Sequence, residues 1–119
     1  MKYYSILIPI FNELSSIRIL LESLKIYFDQ GHEIILIDDG SKDGTTEILK
    51  GANFIKLIIL NQNKGKGNAI REGLKHITNN KILIFLYTNL KTILSVFFGA
   101  DPRWTDSSSN ITAPPLFIW

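Results

Sequence analysis

No cysteine occurs in the chain, which rules out a disulfide framework, a thiolate nucleophile and a thiolate metal site. An excess of one charge is also missing. Residues 1–86 hold eleven Lys and Arg against nine Asp and Glu, two of each sign follow, and the net charge of +2 is too small to argue for a nucleic-acid partner. There are no repeats or heptads, so solenoids and coiled coils are not expected. The opening Met1, Lys2, Tyr3, Tyr4, Ser5 leads straight into apolar residues with no small-residue cleavage site, and no signal peptide is read. These absences fit a cytoplasmic setting. One apolar stretch, residues 82–100, is nineteen residues long, but Tyr87, Thr88, Asn89, Lys91 and Thr92 break its centre, so it is not read as a membrane span.

The 119 residues suffice for one domain. Residues 33–41 organise it: four consecutive apolar residues run into Asp38, Asp39, Gly40 and Ser41. An unbroken apolar run bounded by turn residues suits a strand buried on both faces of a parallel sheet. The two carboxylates then stand at the strand's carboxyl end, where ligands bind in open parallel sheets. An Asp, Gly, Ser sequence there is equally an ordinary turn leading into a helix.

The rest of the chain alternates around that strand. Residues 4–9 read as a first strand stopped by Pro9, which lacks a ladder donor. Apolar residues at 14, 17, 20, 21, 24 and 28 predict a helix, with Asn12 as N-cap and Gly31 past its end. A short helix is expected from Asp43, a third strand over 54–60, a helix carrying Ile70, Leu74 and Ile77 on one face, and a fourth strand over 81–86. The result is an α/β unit of β-α-β-α-β-α-β order with right-handed crossovers. A strand order of 3-2-1-4 brings the ends of strands one, two and four to one crevice. Ile6, Ile8, Ile35, Ile37, Leu57, Ile59, Leu83 and Phe85 are the expected core. Residues 87–119 crowd Pro, Ser and Asn without a period and read as an irregular segment.

Between the third strand and the third helix lie Asn63, Lys64, Gly65, Lys66, Gly67 and Asn68. A glycine-rich turn at a helix start lets backbone amides approach an anion, and lysines add charge suited to a phosphate. The same pattern also serves as a plain cap, and it lacks the full spacing of a Walker loop.

Three segments taken together carry a resemblance: Ile-Pro-Ile-Phe-Asn-Glu at 8–13, Ile-Asp-Asp-Gly-Ser-Lys-Asp-Gly-Thr at 37–45, and Asn-Lys-Gly-Lys-Gly-Asn-Ala-Ile-Arg-Glu-Gly-Leu at 63–74. In this order and spacing they resemble the nucleotide-binding half of family-2 glycosyltransferases of the GT-A fold, over about residues 4–86. The third segment looks most like the branch that moves a sugar from a nucleotide donor to a polyprenyl or dolichyl phosphate.

That resemblance implies a nucleotide-sugar-binding domain at 1–86 and a tail at 87–119 unlike the family. It implies that Pro9 and Phe11 wall a base pocket, that Asn12 and Glu13 shape the first loop, and that Asp39 meets the uracil or guanine of a UDP- or GDP-sugar with Asp38 behind it. Lys66, Gly67 and Arg71 would lie against the nucleotide, although an exposed arginine often pairs only with a surface carboxylate. A lipid phosphate is the implied acceptor, at the cytoplasmic membrane face, with membrane association through parts beyond this chain.

The pattern breaks at the end of strand four. The family uses Mg²⁺ or Mn²⁺ held by an Asp-x-Asp motif there, whereas this chain has Leu86, Tyr87, Thr88 and Asn89. Divalent cations of this kind favour charged oxygen donors, so no metal ligand and no catalytic residue is assigned. The chain is expected to be a truncated copy lacking the acceptor half, with a change of reading frame near residue 86. A non-catalytic nucleotide-binding remnant is the alternative. A receiver-like signalling domain is disfavoured, since Asn61 stands where its phosphoryl-accepting aspartate belongs.

Overall fold

The computed structural model describes residues 3–85. The elements are β1 (Tyr4–Ile10), α1 (Ile17–Asp29), β2 (Glu33–Asp38), α2 (Thr45–Lys50), β3 (Lys56–Ile59), α3 (Lys66–Leu74) and β4 (Lys81–Ile84). The four strands form one parallel sheet in the order β3-β2-β1-β4, as the crossover rules predict.

Alternation along the strands divides the core into two layers. Ile6, Ile8 and Ile10 of β1 and Ile34 and Leu36 of β2 pack with Ile17, Leu20 and Leu24 of α1 and Leu49 of α2. Leu7, Ile35 and Ile37 face the other way, against Ala69 of α3. The central strands therefore carry unbroken apolar runs, residues 6–10 and 34–37, because both faces are covered. α3 approaches closely at Gly73, where a Cβ would lie 2.7 Å from Ile37 Cδ1 and 3.0 Å from Leu7 Cδ2.

Several sequence expectations are corrected. Pro9 does not end β1, which continues to Ile10. Strand geometry points alternate residues to alternate neighbours; Leu7 accepts from Phe85 of the β4 side at 3.0 Å and Ile10 accepts from Asp39 of the β2 side at 2.8 Å. Pro9 shares the parity of Leu7, so its missing N–H falls beyond the last β1–β4 pair, Leu7 with Ile84, and costs β2 nothing.

Asn12 is not the cap of α1. It has φ +50°, and Ser16 occupies the N-cap after an intervening turn. Leu14 and Phe28, expected on the buried face of α1, are exposed. Ile59 is exposed and Leu57 only half-buried, because β3 is an edge strand flanked on one side alone. Strand β3 is also shorter than the apolar run, and Leu74 is exposed at the end of α3. The end of the expected fourth strand at residue 86 and the apolar stretch beyond it lie outside the described residues. Among the described residues no helix is long and apolar enough to cross a membrane.

The amino ends of the strands are fastened by Glu33. Its carboxylate accepts from Ser5 Oγ at 2.7 Å, Thr78 N at 3.0 Å and Thr78 Oγ1 at 2.9 Å, and it pairs with Lys56 at 2.5 Å. β1, β2, β3 and the approach to β4 thus meet on one side chain. Desolvation pushes the Glu33 carboxyl up, but Lys56, Ser5 and Thr78 outweigh it and hold the group below its ordinary value. Beside it, His32 Nδ1 accepts from Tyr4 N at 3.1 Å, which requires a neutral ring, and burial lowers its pKa.

Both shifts have the same sign, because the unfolded chain binds the proton more readily than the folded one. Stability should hold above pH 6.5, begin to fall below it as His32 charges, and fall again below pH 4.5 as Glu33 protonates. Glu33→Gln is expected to cost about 1–2 kcal/mol at pH 7 and to shrink the lower step, leaving the part contributed by Asp43, whose carboxyl is also lowered. Thermal melts of both chains from pH 3 to 8 check this, and an unchanged lower step in the variant would contradict it.

Candidate functional site

Three loops leave the carboxyl edge of the sheet: residues 11–16 after β1, 39–44 after β2, and 60–65 after β3. The second lies between the others and binds both. Ile37 and Asp38 are carried to the edge by the buried β2 ladder, and the chain turns away at Gly40, where φ is +80°. A Cβ on Gly40 would stand 2.7 Å from Asn63 N and 2.8 Å from Gln62 C, so the third loop crosses directly over a position only glycine can occupy.

Asp38 and Asp39 are both buried. Asp38 Oδ1 accepts from Ser41 N at 2.9 Å, and Oδ2 accepts from the Thr46 hydroxyl of α2. Asp39 Oδ1 accepts from Lys64 N at 3.0 Å and Oδ2 from Gly65 N at 2.9 Å. One carboxylate therefore shapes its own turn and the other anchors the glycine-rich loop. Gly65 has φ +93°, which an L side chain would resist, and it opens α3 without a side-chain cap.

The first loop is bound to the second by hydrogen bonds that local sequence does not announce. Asn12 N donates to Ser41 Oγ at 2.8 Å, and Asn12 Oδ1 accepts from Lys42 N at 2.9 Å. Glu13 N donates to Thr45 Oγ1 at 3.0 Å and Leu14 N to Asp43 Oδ2 at 3.2 Å. Asp43 Oδ1 in turn accepts from Thr45 N at 3.0 Å and from the Thr45 hydroxyl at 2.5 Å. That hydroxyl above all, with the Thr45 and Leu14 amides, holds the Asp43 carboxyl below its ordinary range.

Of the residues expected in the site, the structure gathers Asn12, Glu13, Asp38 and Asp39 around the second loop. Phe11 follows the end of β1 and is 43% exposed, whereas Pro9 is buried inside the strand. Lys66 and Gly67 form the exposed first turn of α3, beside the loop that Asp39 holds. Arg71 is exposed in the last turn of α3, and no hydrogen bond or ion pair among the described residues ties it to the cluster. Sequence reasoning did not single out Ser41, Thr45 and Thr46, and read Asp43 only as a helix-start residue. The acceptors of Ser41, Asp43 and Thr45 serve residues about thirty positions away, a relation without any local period, whereas Thr46 donates to nearby Asp38.

All four oxygens of Asp38 and Asp39 already accept from N–H or O–H groups. Among the described residues no three His, Asp or Glu side chains converge where a cation could sit. The described residues thus do not fit the divalent ion expected of the family, and Leu86, Tyr87, Thr88 and Asn89 lie outside them. A separate groove of about 770 Å³ runs between α1 and α2, rimmed by Arg18, Glu22, Lys25 and Glu47, and none of the three loops' polar residues lines it.

Known proteins share both sequence and fold with this unit. Undecaprenyl-phosphate 4-deoxy-4-formamido-L-arabinose transferases of Yersinia enterocolitica and Yersinia pestis are 37% identical over 90 residues, covering 69% of this chain and 28% of their own length. The chain thus spans less than a third of these relatives. Among solved structures, the mannosyltransferase PcManGT from Pyrobaculum calidifontis, in complex with GDP-Man and Mn²⁺, superposes with a TM-score of 0.59 at 23% identity, over 83% of this chain and 32% of that one. The S. aureus TarS fragment 1–349 gives 0.59 at 24% identity, over 82% and 32%. These two likenesses establish the shared GT-A fold. Residues 5–86, which include all three loops and, except for Tyr4, all four strands described, match the family described as Glycosyl transferase family 2, and the chain belongs to that family.

Proposed function

We propose that residues 1–86 form the nucleotide-sugar-binding part of a glycosyltransferase that moves a sugar from a UDP- or GDP-sugar to a polyprenyl phosphate at the cytoplasmic membrane face. The family match ends at residue 86, and residues 87–119 are not assigned to that unit. The observation that carries this reading is the meeting of three motif-bearing loops at one carboxyl edge, with Asp39 at their junction. The family match and the undecaprenyl-phosphate transferases among the relatives support the chemistry.

In this reading Phe11, with Pro9 behind it, offers a flat apolar wall to the base. Asp39 accepts from a base N–H with lone pairs left beyond its two backbone bonds, since a carboxylate has about four acceptor positions. Asp38 keeps that carboxylate in place, and Asn12 and Glu13 shape the wall. The uncapped first turn of α3, with Gly67 and Lys66, faces the diphosphate, and Arg71 adds charge farther along the helix. Mg²⁺ or Mn²⁺ supplies charge neutralisation at the diphosphate in metal-dependent members of such enzymes. Nothing in the described residues is assigned to it.

Asp39→Ala is expected to weaken UDP or GDP binding by about 10- to 100-fold, the loss of a hydrogen bond to a charged group. Asp29→Ala, on the exposed end of α1, should leave it unchanged. Calorimetry on both variants decides, and equal losses would remove Asp39 from the site.

The 119-residue chain should also bind nucleotide with the same affinity with and without Mn²⁺ and form no sugar-lipid product, because Leu86, Tyr87, Thr88 and Asn89 supply no carboxylate. Titrations with and without Mn²⁺, and a product assay with a polyprenyl phosphate, test this. Mn²⁺-dependent product would show that other residues hold the ion.

A further inference from the structure

The segment from Asp39 to Thr45, the second loop and the first residue of α2, carries acceptors on alternate residues. Asp39 binds the third loop, while Ser41, Asp43 and Thr45 bind the first. What these last three receive are the backbone amides of Asn12, Glu13 and Leu14, three consecutive donors of the segment that follows Phe11. Asn12 has left-handed backbone at φ +50°, a conformation that persists where surrounding contacts determine it.

The hydroxyl of Thr45 has a direction. Its single proton goes to Asp43 Oδ1, so its lone pairs are left for the Glu13 amide. Asp43 thus acts on the first loop twice, through Leu14 directly and through Thr45 by orienting the hydroxyl. Thr45 is fully buried, so it serves the loop and not a ligand.

We propose that Ser41, Asp43 and Thr45 are positioning residues, which hold the segment behind Phe11 in its nucleotide-receiving shape before any nucleotide arrives. The proposal rests on the nucleotide-binding reading above. It adds that part of the affinity comes from order already present in the free protein, since a loop ordered beforehand loses less entropy on binding.

The test uses the full 119-residue chain and Thr45→Val, which keeps the shape and removes the hydroxyl, beside Thr45→Ser, which keeps the hydroxyl. Solvent exchange of the Asn12, Glu13 and Leu14 amides is measured by NMR, and UDP and GDP affinity by calorimetry. Thr45→Val should speed exchange at these amides and weaken binding about tenfold, with core amides of β1 and β2 unchanged. Thr45→Ser should restore both. Ser41→Ala, at a half-exposed position, should act in the same direction if the valine variant fails to fold.

Unchanged exchange would overturn the proposal. Faster exchange with unaltered affinity would do so as well, as would a rise spread equally over β1 and β2. If the unaltered chain bound neither nucleotide, the reading under Proposed function would fail, and exchange at residues 12–14 would then decide the loop's organisation alone.

Discussion

Two carboxylates buried side by side at the end of β2 set the terms for everything around them. A buried charge without partners costs several kcal/mol, and Asp39 is only 3% exposed. Lys64 N and Gly65 N meet that demand for Asp39, and Ser41 N and the Thr46 hydroxyl meet it for Asp38. The course of the third loop and the seating of α2 follow from satisfying these groups. Gly40 is the steric counterpart, since the loop drawn toward Asp39 passes where a side chain would otherwise be.

The opposite edge is organised by the same physics with a different purpose. Glu33 collects hydrogen bonds from β1 and from the approach to β4, and an ion pair from β3, but the donors are side chains and one amide of a connecting turn. Among the described residues, no glycine-rich segment or helix start converges there. One end of the sheet is a fastening, while the other uses its acceptors to tie three loops to one another. The helices gain little from their own caps: α1, α2 and α3 all lack a side-chain cap hydrogen bond. Their positions come from packing on the sheet and from the loops, as short helices in folded domains require.

The strand order and most of the core were legible because they follow from averages over many residues: unbroken apolar runs, helical spacing and crossover handedness. Ile35 and Ile37 are buried as expected, with α3 over them. Ile59 escaped that logic because an edge strand looks apolar in sequence while lacking a neighbour on one side. Asn12 was misjudged for another reason. Its side chain can cap a helix or close on a distant amide, and the choice was made by Lys42, thirty positions away. The motif at 37–45 marked the segment on which the other two loops converge, but its spacing did not show which of its residues hold which loop.

The alternation through 39, 41, 43 and 45 has a consequence for how such a segment can vary. Replacing one acceptor removes the bonds of that side chain and leaves the spacing of the others unchanged. Inserting or deleting one residue between Asp39 and Thr45 would instead put every later acceptor out of step with the amides of Asn12, Glu13 and Leu14 that it receives. The stretch from strand to helix therefore behaves as a ruler. Across descendants of this architecture, drift in residue type should be common there, and drift in length should be rare.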